Sequence, residues 1–345
     1  MGSVAFVLDY SPLSFVWSGL RWLLLLHASF GLFLLSKSFL DNGVSQRLIA
    51  IFCLCIGVVD LAFALQQLSE LGIAYGATFA ETRVTGFFGH AGPAAFFGFA
   101  MALICLHLDR VSFPIRFSVS AIGFLIALST GTRSIVIFIF MIIALQFFEF
   151  VEVNRTSLLY RVRKIIFLPL VTAAAFVGYG WLIAIVDRGD LVGTQLEEGG
   201  RVANAVESIK MLYSAEMGEL IFGRGLGIGT NTAYGQLLAA GVTPEFYRFN
   251  FLVDNAILTT FFQFGLLGSI WFWSGIVMFV ASARPKLHGR ASRRYWTTCA
   301  MFLLILWAGN PFEQYYLMLS FATSLGCAYW ASVAATSAIS ARAQI

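Results

Sequence analysis

Runs of apolar residues about 17 to 25 long, most of them ended by a short basic stretch, govern what this chain can become. A run of that length crosses the hydrocarbon of a bilayer as a helix, because only there can its backbone satisfy its own N–H and C=O groups. Nine such runs are legible, at 13–35, 48–69, 92–108, 114–130, 134–152, 165–186, 253–282, 296–309 and 315–336. Of 345 residues 59% are hydrophobic and only 12% charged, with a mean hydropathy of +0.82. That is too little charge to cover a soluble domain. The expected fold is all-α, a polytopic bundle of about nine spans forming one integral membrane domain over 1–345.

Loop charge sets the orientation. Lys37 and Arg47 lie in one connection, and Arg110 and Arg116 in or beside the next. Arg155, Arg161, Arg163 and Lys164 crowd another, and Arg284, Lys286, Arg290, Arg293 and Arg294 a fourth. Nine crossings put all four on one side, which the positive-inside rule assigns to the cytoplasm. The N-terminus then falls outside, as expected where one or more upstream helices are absent, and Met1 to Pro12 has no basic n-region of a cleavable signal. The outer side receives 70–91, the turn near 131–133, the segment 187–252 and 310–314. The segment 187–252 is too long for a plain connector. Within it Val202, Val206, Ile209 and Tyr213 recur at helical spacing, which predicts an amphipathic helix on the outer membrane surface, introduced by Gly199 and Gly200. Cys53, Cys55, Cys105, Cys299 and Cys327 show no zinc spacing; they read as small hydrophobes, with Cys53 and Cys55 on different faces of one helix.

The stretch "FGRGLGIGTNTAYG" at 222–235 suggests a phosphate-cradling loop, but it lacks the strand, helix and Lys-Ser/Thr context of a nucleotide site. Its arginine belongs to a larger set. Arg83, Arg133, Arg188, Arg201, Arg224 and Arg248 all fall on the outer side or rim, where positive charge is disfavoured. Singly, each is explained by a neighbouring acid; as a set they suit a diphosphate, which guanidinium groups bind in a bidentate way. His90 lies beside the Arg83 loop as a candidate pocket residue. Asp254 and Asn255 stand at the mouth of a helix, where Asp is either an N-cap or a general base toward a sugar hydroxyl. Glu313 is a second outer carboxylate, or simply a helix-start acid. Arg21 and Asp60, the ions within spans, are expected to form a structural pair.

"RVTGFFGHAGPAAFF", "STGTRS", "GGRVANAVESIKML", "LIFGRGLGIG" and "VDNAILTTFFQFGLLG" together resemble, in order, the motif series of the O-antigen ligase and Wzy-type polymerase superfamily. The resemblance runs from about residue 83 to 270. It implies a C-type membrane glycosyltransferase of the bacterial inner membrane, acting at the periplasmic face on undecaprenyl-diphosphate-linked oligosaccharide, with no metal, nucleotide or other cofactor. By the same resemblance Arg83, Arg133 and Arg201 match pocket arginines, with Arg224 in the glycine turn and Asn255 beside the catalytic position. Three features depart from the family pattern. Its first few helices are absent, Ala205 replaces the tryptophan after the helix arginine, and Asp254 stands where ligases carry histidine. The carboxylate resembles the polymerase and exopolysaccharide branches. Expected partners are the lipid-linked glycan, the bilayer and chain-length or export proteins, with no nucleic acid. The alternatives are a ligase moving a finished glycan to lipid or protein, and a non-catalytic lipid-glycan transporter.

Overall fold

In a computed structural model the chain is all-helical, with no strand among the described residues. These are 13–70, 85–88, 91–130, 132–153, 201–226, 228, 255–282, 289–308, 312 and 315–343. The helices are α1 (Leu13–Asp41), α2 (Gly43–Glu70), α3 (Ala91–Leu106), α4 (Phe113–Ser129), α5 (Arg133–Val153), α6 (Arg201–Tyr213), α7 (Met217–Phe222), α8 (Ala256–Ser282), α9 (Arg290–Ala308) and α10 (Tyr315–Ala343). Among the described residues four segments are long and apolar enough to cross a membrane: Leu20–Asp41, Gly43–Gln67, Ala256–Ser282 and Tyr315–Ala334. Gly92–Leu106, Phe113–Ser129 and Ile135–Phe150 are shorter apolar helices. Large apolar side chains such as Leu24, Phe52, Trp271 and Met278 face outward, as lipid contact requires. The run expected at 165–186, and 229–252 of the long outer segment, lie outside the described residues.

The chain divides into two compact units. One comprises Phe33–Asp190, Pro285–Thr298 and Ser320–Ile345, and is centred on α2 to α5. Its tightest packing is α3 on α4, where Gly98 and Gly123 meet backbone to backbone. A Cβ on Gly98 would lie 2.7 Å from the Gly123 carbonyl oxygen, so only glycine permits this approach. Around it Ala50, Cys53, Ala94, Met101, Cys105, Val119 and Ile126 form the core. Cys53 is buried and Cys55 exposed, so the two do lie on different faces. Inside the unit Gln146 of α5 donates to Ser120 Oγ of α4 at 3.0 Å.

Each end of this unit is closed by a glutamine that substitutes for missing backbone partners. Gln46 Nε2 donates to the Phe39 and Leu40 carbonyls at the end of α1, while its Oε1 accepts the Arg110 N–H. One buried amide thus joins α1, α2 and the α3–α4 turn, and Asn42 caps α2 beside it. At the other end Gln67 Oε1 accepts the N–H groups of Thr85 and Gly86 at 2.9 and 3.0 Å. Asp60, expected to pair with Arg21, is fully buried and accepts the Phe87 N–H at 3.0 Å. The turn Gly86–Phe88 is thereby clamped onto α2, with Gly86 at φ +55 against the Asp60 carboxylate.

The other unit comprises Met1–Leu32, Leu191–Arg284 and Cys299–Leu319. An aromatic cluster holds it: Phe312 stacks on Trp22 at 5.0 Å and meets Phe272 edge-on at 5.4 Å. The expected amphipathic helix forms as α6. Val206, Ile209 and Tyr213 are exposed, and Met217 and Phe222 extend the exposed apolar face into α7.

Replacing Gly98 by alanine is expected to cost about 1–3 kcal/mol, since the opposing atom is backbone and cannot rotate away. The equivalent change at Gly92, where a Cβ meets nothing within 4 Å, should be neutral or stabilising. Thermal unfolding in detergent of the two variants checks this; equal midpoints would contradict the close-packed crossing.

Candidate functional site

The apolar run 253–282 reads as one crossing, but α8 is broken at Gly265, whose φ of 63 and ψ of −172 are not helical. Trp273 Nε1 donates to Thr260 Oγ1 at 2.8 Å. In a straight helix those residues would be about 20 Å apart along the axis, beyond the reach of both side chains. The chain therefore folds back sharply, giving a half-helix before Gly265 and a longer helix after it.

The glycine stretch explains how the break is tolerated. α7 ends at Gly223, with φ 79, and the chain then crosses α8 at the break. A Cβ on Gly223 would sit 2.5 Å from both the Gln263 carbonyl oxygen and the Gly265 nitrogen, and one on Gly265 would strike the Ile221 carbonyl. Two backbones thus touch where side chains are excluded. The Arg224 N–H donates to the Phe262 carbonyl at 2.7 Å, a carbonyl that the break would otherwise strand. The glycines serve a chain crossing.

Polar side chains gather at this crossing. Arg224 is buried, its Nε 3.1 Å from Glu219 Oε2, with its guanidinium 5.5 Å over the Phe262 ring. Glu219 is buried as well. Gln263, fully buried beside Gly223, has neither amide atom hydrogen-bonded, and Ser269 Oγ is likewise without a hydrogen-bond partner. Orphaned groups of this kind are costly in a membrane interior and mark places where something polar belongs. Of the residues singled out in the sequence, Arg224 therefore has a protein carboxylate as partner. Asn255 is buried and is the N-cap of α8: its Oδ1 accepts the N–H groups of Ile257 and Leu258 at 2.9 and 3.1 Å. Arg201 and Arg133 begin α6 and α5 respectively. Arg83, His90, Asp254 and Glu313 lie outside the described residues, as do Arg188 and Arg248.

A second charged cluster, absent from the expectations, closes the glutamine-46 end of the α2–α5 unit. Arg294 of α9 is buried and donates through Nε to both Glu149 oxygens at 2.9 and 3.0 Å, with Nη2 also on Glu149 and 2.9 Å from Asp109 Oδ1. Burial works against the Arg294 charge, but the hydrogen-bonded Glu149 and the Asp109 carboxylate outweigh it and hold the guanidinium above its ordinary value. Arg116 adds a longer contact of 3.9 Å to Asp109. His107 lies just beyond α3, 3.5 Å from Thr298 Oγ1. The α3–α4 turn, the end of α5 and the start of α9 thus meet at one end of the unit, beside three of the four connections that loop charge assigns to one side. No group of His, Cys, Asp and Glu suited to a metal occurs among the described residues.

These features define a helical membrane protein with one broken helix and buried charge in both of its units. The chain matches no known protein-family model, and neither a curated protein nor a solved structure is detectably similar to it.

Gly265→Ala must adopt a left-handed φ and displace the Ile221 carbonyl, so it should lower stability by at least about 1–2 kcal/mol. A wild-type unfolding midpoint for this variant would show that the crossing yields easily. Glu149→Leu or Arg294→Met alone should cost about 3–5 kcal/mol by stranding a buried charge, with much of the loss recovered in the double variant. A double-mutant cycle with additive losses would remove the pairing.

Proposed function

We propose that the protein is a membrane glycosyltransferase that polymerises undecaprenyl-diphosphate-linked oligosaccharide repeat units at the periplasmic face of the bacterial inner membrane. The observation that carries this reading is the division of labour at the start of α8. Capping was the ordinary explanation for an acid at the mouth of this helix, and Asn255 does the capping with its own side chain. In this reading Asp254, the residue before the cap, takes the other role open to an acid there, a general base toward an acceptor hydroxyl.

In the proposed reaction the acceptor hydroxyl of one glycan attacks the anomeric carbon of another. Asp254 takes the hydroxyl proton as the new glycosidic bond forms. The bond from the anomeric carbon to the phosphate oxygen breaks, and undecaprenyl diphosphate leaves. Arg83, Arg133 and Arg201, the pocket arginines of the resemblance, would hold the diphosphate and stabilise the charge growing on it. Arg224, paired with Glu219, is a positioning residue: with Gly223 it fixes the crossing at which the half-helix capped by Asn255 ends.

The test is Asp254→Asn in purified protein supplied with lipid-diphosphate-linked repeat units. The wild type is expected to form a ladder of products, and the variant to lose about 10²-fold or more in rate with its thermal stability unchanged. An unaltered ladder in the variant would remove Asp254 from the chemistry. A single adduct from the wild type would indicate transfer of a finished glycan, and no product at all a non-catalytic role.

A further inference from the structure

A cavity of about 330 Å³ opens at the Arg294 end of the α2–α5 unit, lined by Leu40, His107, Asp109, Arg290, Arg294 and Ser332 among others. Its volume falls at the small end of the range of about 300–1,000 Å³ typical of small-ligand sites. We propose that it binds the phosphodiester headgroup of an anionic phospholipid.

Depth, charge and shape all favour that occupant. Leu40 adjoins the end of the apolar segment Leu20–Asp41, and Ser332 lies near the end of Tyr315–Ala334. The walls are therefore ends of spans, the level at which lipid phosphates lie. Arg290 and Arg294 are one helical turn apart on α9, and both line the cavity. Arg294 is held rigidly and matched by Glu149 and Asp109, so Arg290 is the cation of the lining left to meet an anion. Arg290 is exposed, makes no ion pair among the described residues, and can close on phosphate oxygens in a bidentate way. The first turn of α9, where Arg290 and Ala291 line the cavity, adds the positive end of a helix dipole. Leu40, Ala328 and Ala331 supply an apolar wall for the glycerol and the start of the acyl chains. The half-exposed Asp109 carboxylate can accept from a headgroup hydroxyl. A quaternary ammonium, by contrast, has no hydrogen to donate to Asp109 and would meet the exposed Arg290 guanidinium. Basic pockets between spanning helices on the positive side are where such headgroups are held.

The experiment follows thermal unfolding of the detergent-purified full chain while phosphatidylglycerol, phosphatidylethanolamine, phosphatidylcholine or glycerol 3-phosphate is titrated in. Phosphatidylglycerol should raise the midpoint in a saturable way, and the other three should not. Arg290→Gln should leave the lipid-free midpoint unchanged and weaken the apparent phosphatidylglycerol affinity about tenfold, the loss of one charge-assisted contact. Arg47→Gln, exposed and not part of the cavity lining, should shift that affinity by less than about twofold, as expected of a screened surface charge. Equal stabilisation by the zwitterionic lipids, or an Arg290→Gln response equal to wild type, would overturn the proposal. So would an Arg47→Gln loss as large as that of Arg290→Gln, which means diffuse attraction. A glycerol 3-phosphate response matching phosphatidylglycerol would overturn the lipid as occupant, leaving a soluble phosphate compound in its place.

Discussion

The broken helix and the closed helix ends among the described residues answer one constraint, the absence of water to complete a backbone hydrogen bond within hydrocarbon. The break at Gly265 is the severest case. A φ of 63 interrupts the α8 ladder, and the structure answers by laying the turn after α7 across the gap. The Arg224 N–H reaches the Phe262 carbonyl, and two glycines remove the Cβ atoms that would hold the chains apart. The Arg224–Glu219 pair, its contact with Phe262 and the fold-back that brings Trp273 to Thr260 all follow from that crossing. A half-helix in a membrane protein is stable only when another segment completes it.

The same constraint acts more gently in the α2–α5 unit. Helix ends there carry unpaired carbonyls and amides, and side-chain amides take the place of solvent. Gln46 offers two donor bonds to α1 and one acceptor to the α3–α4 turn; Gln67 receives two N–H groups from the Thr85–Gly86 turn. Glutamine suits both places because its amide donates and accepts without bringing a charge that must be neutralised. Charge is admitted where it can be fully matched. Arg294 enters with Glu149 and Asp109 around its planar fork, a geometry lysine could not use in the same way.

Much of the helical layout could be read from the chain because length and apolar content decide it. α1 to α5 and α8 to α10 fall on the runs picked out by hydropathy, and the 3.6-residue spacing of Val202, Val206, Ile209 and Tyr213 located α6. The candidate site was legible only in part. Gly265 gives no local sign of its φ, since glycine is common in spanning helices and "QFGLLG" suits an unbroken one. The Arg294–Glu149 pair joins residues 145 apart, and Glu149 lies near the end of an apolar run where a single acid suggests a helix end. Asp254 and Asn255 illustrate a third kind of failure. Both residue types cap helices equally well, so spacing alone could not say which does so.

That last ambiguity is the one on which function turns. A carboxylate and an amide side by side at a helix start have two tasks available, capping and chemistry, and only one of the two residues can act as a base. An amide cannot take a proton at neutral pH, whereas it caps as well as an acid does. With Asn255 satisfying the first N–H groups of α8, the neutral residue holds the structural task. The opposite assignment would have tied the carboxylate to two backbone N–H groups, and hydrogen bonds to the charged form lower its proton affinity. A base so restrained would be poorly matched to a sugar hydroxyl. Under the proposed function, the order Asp then Asn leaves the amide to cap α8 and reserves the carboxylate for the acceptor hydroxyl.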